Sequence, residues 1–314
     1  MLTDHDEEHV PAIDWGCLSR VLVVGNGKGG VGKTTIAANT GGLAAAGGAR
    51  SLIVDLNGQG NVGRELGYRK GPLDDEGQAL YEAVMNGTPL MPIRDVRPNL
   101  DIAVGGPHVG RLPAHLSLKY DGHSKRQALM LAVALQQVAD NYDIIVIDSP
   151  PENPPLQQLS LAAARWLIVP VKSDSAAIED GLGGIARQFA LVRKKVNPFL
   201  ELLGVVLFAS GTSSTAIRRG VADDVERTIG KGTPMFESVV RHSEAVARQS
   251  RERGLLVHEL EQAAANNPAF WQVRAGEVSS DQVVSQTSKS VAEDMARLTR
   301  EVFTRLRQRE GIRA

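Results

Sequence analysis

The chain has 314 residues, 42% hydrophobic and 23% charged, with a formal net charge of −1. That balance excludes a mainly disordered chain and supplies enough apolar material for one large core. The near-zero charge means that any nucleic-acid contact has to come from a local basic patch. An aromatic content of 4% argues against a base-stacking platform, and the single cysteine, Cys17, excludes a disulfide framework or a cysteine metal site within one chain.

Residues 1–18 read as an acidic tail without the positive-then-apolar order of a signal peptide. No run reaches about 18 apolar residues, so no membrane-spanning helix is expected. Apolar runs then follow at Val21–Val24, Leu52–Leu56, Leu100–Val104, Ile144–Ile147, Trp166–Val171 and Leu202–Phe208. Several are apolar throughout, as in strands covered on both faces. Helical patterns lie between or after them at Lys33–Ala46, Ser124–Asp140, Ala176–Lys195 and Ser213–Ile229. Strand and helix alternating in this way predict an α/β chain with a mostly parallel, doubly wound sheet and helices on both faces, spanning residues 19–314 as one domain. Leu90–Pro98, with two prolines, reads as a loop, and residues 263–287 read as a polar insertion. Ser288–Arg309 is helical again, with Val291, Met295, Leu298, Val302 and Leu306 on one stripe.

The strongest local signal is GNGKGGVGKTT, Gly25 to Thr35, between the run VLVV and a helix-forming stretch. It contains G-x-x-x-x-G-K-T, Gly27 to Thr34, in the strand–turn–helix setting a phosphate loop requires. Glycines let backbone N–H groups converge on phosphate oxygens, and the helix dipole adds positive potential. Gly27, Lys28, Gly29, Gly30, Val31, Gly32, Lys33, Thr34 and Thr35 are therefore the candidate ATP-binding residues. Lys33 is expected on the β- and γ-phosphates, and Thr34 on Mg²⁺. One lysine already neutralises the terminal phosphates. Lys28 is thus either a solvated loop lysine or a charge offered across an interface to a partner subunit's nucleotide, as an arginine finger acts in trans. Asp148 ends an apolar strand before Ser-Pro-Pro, where a carboxylate holds Mg²⁺ through water or caps the turn. Asp55 ends the second strand in the same way.

KGGVGKTT resembles the deviant Walker A motif of the ParA/MinD class of P-loop ATPases. The resemblance extends to VDLNGQGN (Val54 to Asn61), YDIIVIDSPP (Tyr142 to Pro151), the segment from Trp166, and SEA (Ser243 to Ala245), so it covers about residues 19–260. It implies an ATP- and Mg²⁺-dependent sandwich homodimer in which Lys28, Lys33, Asp55 and Asp148 serve hydrolysis, with Thr34, Asp55 and Asp148 at the metal. It further implies nonspecific binding of double-stranded DNA, release stimulated by a ParB-like adaptor, and a cytoplasmic, nucleoid-associated setting. One departure stands out: family members usually carry a second Asp two residues after Asp55, and this chain has Asn57 followed by Gly58. An amide accepts a hydrogen bond from water but takes no proton, which implies slow hydrolysis unless Asp55 or a partner protein compensates or the loop tolerates the change.

The resemblance places Arg241 at a DNA-contacting position, although the family's proline- and arginine-containing turn is absent after Val240. Arg241, Arg248, Arg251 and Arg253 read as one helical stretch, and Arg218 and Arg219 start another; phosphate contacts need only such charges. Two rival readings are a MinD-like ATPase held to a membrane by its C-terminal helix, and a nucleotide-dependent scaffold that barely hydrolyses because of Asn57. The mixed aliphatic stripe and the acids Glu293, Asp294 and Glu301 favour docking of that helix on the sheet over a membrane surface. With only about 20 residues before the first strand, an operator-reading helix-turn-helix is not expected.

Overall fold

The computed structural model describes residues 10–120, 124–173, 175–209, 215–268, 274, 279 and 283–309. Residues 1–9 of the acidic tail and most of 269–282 in the polar insertion lie outside them. The strands are β1 (Val21–Val24), β2 (Ser51–Asp55), β3 (Ile93–Arg97), β4 (Leu100–Ala103), β5 (Ile144–Asp148), β6 (Trp166–Val171), β7 (Glu201–Ala209) and β8 (Met235–Arg241). The helices up to the third strand are α1 (Lys33–Ala46), α2 (Val62–Glu65) and α3 (Gln78–Asn86); then come α4 (Pro107–Gly110), α5 (Leu112–Lys119), α6 (Ser124–Gln136) and α7 (Pro154–Ala163). The last five are α8 (Ser175–Lys195), α9 (Thr215–Thr228), α10 (Glu244–Arg253), α11 (Val257–Ala265) and α12 (Thr287–Arg309).

The eight strands form one sheet in the order β3-β4-β2-β5-β1-β6-β7-β8. Every neighbouring pair is parallel except β3 with β4. The all-apolar runs have the predicted cause. Val21 and Val23 enter one core with Leu52, Val54, Ile145 and Ile147, whereas Leu22 and Val24 enter the opposite core with Ile36, Ile144 and Val146. The α1 helix packs tightly against β2 and against the residue that opens α11. A Cβ on Gly41 would sit 2.7 Å from Ile53 Cγ1, and one on Gly42 would sit 2.1 Å from Leu256 Cδ1. The C-terminal stripe Val291, Met295, Leu298, Val302 and Leu306 is buried in the core that also holds β1 residues Leu22 and Val24, as its spacing predicts.

Three expectations are corrected. Leu90–Pro98 is not all loop, because Ile93–Arg97 forms β3, an edge strand antiparallel to β4. Both prolines lie outside the strand, and Asn99, at φ 62°, turns the chain back. Arg241 is not helical; it ends β8, and the helix begins only at Glu244 with Ser243 as its N-cap. The polar Glu237 and Ser238 disguise β8 as loop. Their backbone N–H groups donate to the Glu301 carboxylate of α12 at 2.9 and 2.8 Å, which covers this sheet edge. Residues 10–18 of the segment read as a tail lie against the body: Asp14 N donates to Gln136 Oε1 at 2.9 Å, and the Trp15 ring packs on Phe199 at 5.9 Å with a tilt of 42°.

Candidate nucleotide site

The central strand β1 delivers the glycine loop to the carboxyl edge of the sheet, and β5 beside it and β2 one strand further supply the acids. Val24 pairs with Asp148, and Asp55 pairs with Asp148, so the loop and both carboxylates meet across three adjacent strands. Gly32 is the α1 N-cap at φ 88°, and a Cβ there would lie 2.8 Å from the Phe208 ring. Both conformation and space therefore require glycine at this position. Around Gly29 and Gly30 an added Cβ would meet nothing within 4 Å, so this part of the loop faces open space. The loop's outer half is pinned by Asn26, which is 1% exposed. Its Nδ2 donates to Pro170 O at 2.7 Å, and its Oδ1 accepts from Lys28 N at 2.8 Å.

Lys33 is 6% exposed and donates from Nζ to Lys28 O at 2.6 Å. Burial pushes its ammonium down to about 8, against the upward pull of Asp148 and Glu152. Thr34 Oγ1 donates to Asp148 Oδ2 at 2.7 Å. Asp148 is fully buried, and its Oδ1 has no hydrogen-bond partner among the described residues. An orphaned carboxylate oxygen beside a threonine hydroxyl fits a divalent cation carried with the nucleotide. Burial raises the pKa of both Asp148 and Asp55, and Asp148 raises Asp55 further. Two buried carboxylates facing each other favour a cation between or beside them. Asp55 also organises the loop that follows: Oδ1 accepts from Asn57 N at 3.0 Å and Oδ2 from Val62 N at 3.1 Å. Asn57 Oδ1 in turn accepts from Gln59 N at 3.0 Å, so its amide oxygen is engaged in closing its own turn.

The sequence missed Glu65, a 4%-exposed carboxylate whose Oε1 accepts from Thr35 Oγ1 at 2.8 Å while Oε2 has no hydrogen-bond partner among the described residues. Burial pushes it up to about 7; the Thr35 bond opposes that shift, Asp148 adds to it and Arg251 opposes it. Only its i+3 relation to Val62 marked it, which does not distinguish a surface acid from a buried one.

The arginines do not converge on one helix. Arg218 and Arg219 are exposed on α9, with the Arg218 guanidinium donating to Glu237 O at 2.8 Å. Arg248 and Arg251 are exposed on α10, and Arg248 faces Glu252 at 3.8 Å. Arg241 is held at the end of β8: its Nε donates to Asp294 Oδ2 at 2.6 Å, and the Asp294 side chain is 3% exposed.

This fold and loop together define a P-loop nucleotide-binding protein. Residues 19–202 match the AAA domain family. The chain is 32% identical over 197 residues to the chromosome partitioning protein ParA of Myxococcus xanthus, covering 62% of this chain and 66% of that protein. It is 33% identical over 215 residues to ParA of Caulobacter vibrioides, covering 67% and 77%. A McdA variant from Cyanothece in complex with ATP shares the fold, with a TM-score of 0.66 and 18% identity over 94% of this chain and 97% of that one. The chain belongs to the ParA/MinD class of P-loop ATPases.

Proposed function

We propose that the protein is a DNA-segregation ATPase whose ATP-bound homodimer binds double-stranded DNA without sequence preference. The observation that carries this reading is the buried Lys33 beside the Thr34–Asp148 pair with its orphaned oxygen, at the mouth of an open glycine loop. Lys33 and the loop amides hold the β- and γ-phosphates. Thr34 and Asp148 hold Mg²⁺ directly or through water, with Asp55 behind them. The bound Mg²⁺ supplies charge neutralisation of the phosphates. Lys28 reaches the partner subunit's nucleotide, so the γ-phosphate favours the dimer and its loss removes that bias. A ParB-like adaptor stimulates the otherwise weak hydrolysis and releases DNA, which gives a nucleoid-associated cycle. The membrane-bound alternative is disfavoured because the α12 stripe it would need is already buried against the sheet.

Lys28→Ala is expected to retain nucleotide binding by the monomer and to lose most of the ATP-dependent dimer in light scattering. An undiminished dimer refutes the role in trans.

The DNA face rests on Arg218, Arg219, Arg248 and Arg251, with Arg241 bracing β8 against α12. Placing Glu at 241 would set two carboxylates together at a buried site and unsettle the fold before it reports on DNA. Arg248, whose side chain is 70% exposed, is the cleaner probe. Arg248→Glu is expected to weaken binding to any duplex and to flatten the slope of log K against log salt by about one unit per monomer. Fluorescence anisotropy across a salt series checks this, and an unchanged slope removes Arg248 from the interface.

A further inference from the structure

The first turn of α1 is tied to the arginine-bearing α10–α11 hairpin through buried polar side chains that phosphate binding does not itself require. Thr35 is bonded on two sides. Its hydroxyl donates to Glu65 of α2, and its carbonyl accepts from Asn39 Nδ2 at 2.8 Å. Asn39 Oδ1 then accepts from Val257 N, the first residue of α11, at 2.9 Å.

The α2 end is joined just as closely to the end of α10. A Cβ on Gly254 would lie 2.2 Å from Gly67 Cα, and both glycines have positive φ, 62° and 78°. Arg97 locks the junction. It donates to Leu66 O at 3.5 Å, Gly254 O at 2.9 Å and Glu259 Oε1 at 2.5 Å. Glu259 also accepts from Leu256 N at 2.8 Å. The loop from Asp55 to Val62, folded by the Asp55 carboxylate, leads directly into α2.

We propose that Glu65 and Asn39 are positioning residues that clamp Thr35 to the α10–α11 hairpin, so that nucleotide and metal at Thr34, Asp148 and Asp55 set the placement of Arg248 and Arg251. A buried carboxylate that leaves one oxygen without a hydrogen-bond partner among the described residues is a costly way to fix a neighbour. Here the neighbour it fixes is the residue next to the metal-binding threonine. Two links, one through α2 to Gly254 and one through Asn39 to Val257, reach the turn that joins α10 to α11. That gives the coupling a contiguous physical route between the sites. The inference rests on the nucleotide reading of the loop and deepens it by naming how the site controls the DNA face.

The test is hydrogen–deuterium exchange of residues 244–265 in the full chain. Parent, Glu65→Ala and Glu65→Gln are compared with and without ATP and Mg²⁺, at concentrations that calorimetry shows to saturate each protein. In the parent, ATP is expected to slow exchange across 244–265 roughly fivefold or more. Glu65→Ala is expected to lose this response while the 25–36 segment still responds. Glu65→Gln keeps an acceptor for the Thr35 hydroxyl and is expected to restore most of it. A full response in Glu65→Ala, no response in the parent, or no restoration by Glu65→Gln overturns the clamp. Absence of ATP binding by calorimetry overturns instead the nucleotide reading beneath it.

Discussion

Replacing Lys33 by Ala is expected to weaken ATP binding roughly 100-fold, or about 2.7 kcal/mol. The ammonium is nearly enclosed, and burial has already lowered its proton affinity to about 8. Such a group is poised for anions, because a triphosphate would compensate the ammonium for the hydration that burial removed. Its carbonyl partner at Lys28 O is a weaker acceptor than a phosphate oxygen. Truncation removes at least one charge-assisted bond in a site of restricted water, and each is worth about 1.5–3 kcal/mol. Calorimetry of parent and variant with ATP and Mg²⁺ reads the effect directly. Equal affinities would remove the loop from nucleotide binding.

The second large effect is expected at residue 57. Asn57 is 6% exposed, its N–H is bonded to Asp55, and its amide oxygen closes the turn to Gln59. It holds the turn without adding charge to a region where Asp55, Asp148 and Glu65 are already buried acids. A fourth carboxylate here is unfavourable until a cation arrives. Transfer of the γ-phosphoryl group to water needs an oriented nucleophile with its charge supported, which an amide does poorly. Asn57→Asp is therefore expected to speed single-turnover hydrolysis at least roughly tenfold, about 1.4 kcal/mol of barrier. The same variant is expected to melt at a lower temperature without nucleotide and Mg²⁺, and to regain that loss when both are added. A rate no faster than the parent's would show that residue 57 does not limit turnover.

Much of this site was legible before any coordinates. The candidate glycine loop with Lys33 and Thr34 stands out because a phosphate-binding turn would need those residues at fixed spacing, and Asp55 and Asp148 because each ends an apolar strand. The all-apolar runs foretold the two-sided sheet, and the spacing of Val291 to Leu306 foretold a docked helix. What escaped was set by tertiary contact. β3 and β8 are edge strands of mixed polarity, so neither has the apolar run that marks the central strands. Arg241 belongs to β8 because Asp294, 53 residues later in the chain, reaches it. Glu65 and Asn39 look like ordinary helix residues until α2 and α11 close over Thr35.

The central claim is that ATP, and not ADP, switches the protein onto DNA of any sequence. Its most direct test is the affinity for two unrelated duplexes of equal length, measured with ATP and Mg²⁺ and again with ADP and Mg²⁺ at fixed salt. The expected result is binding at least roughly 20-fold tighter with ATP, a coupling of about 1.8 kcal/mol, and equal for both duplexes. Equal affinity with the two nucleotides, or a strong preference for one duplex, would contradict the account.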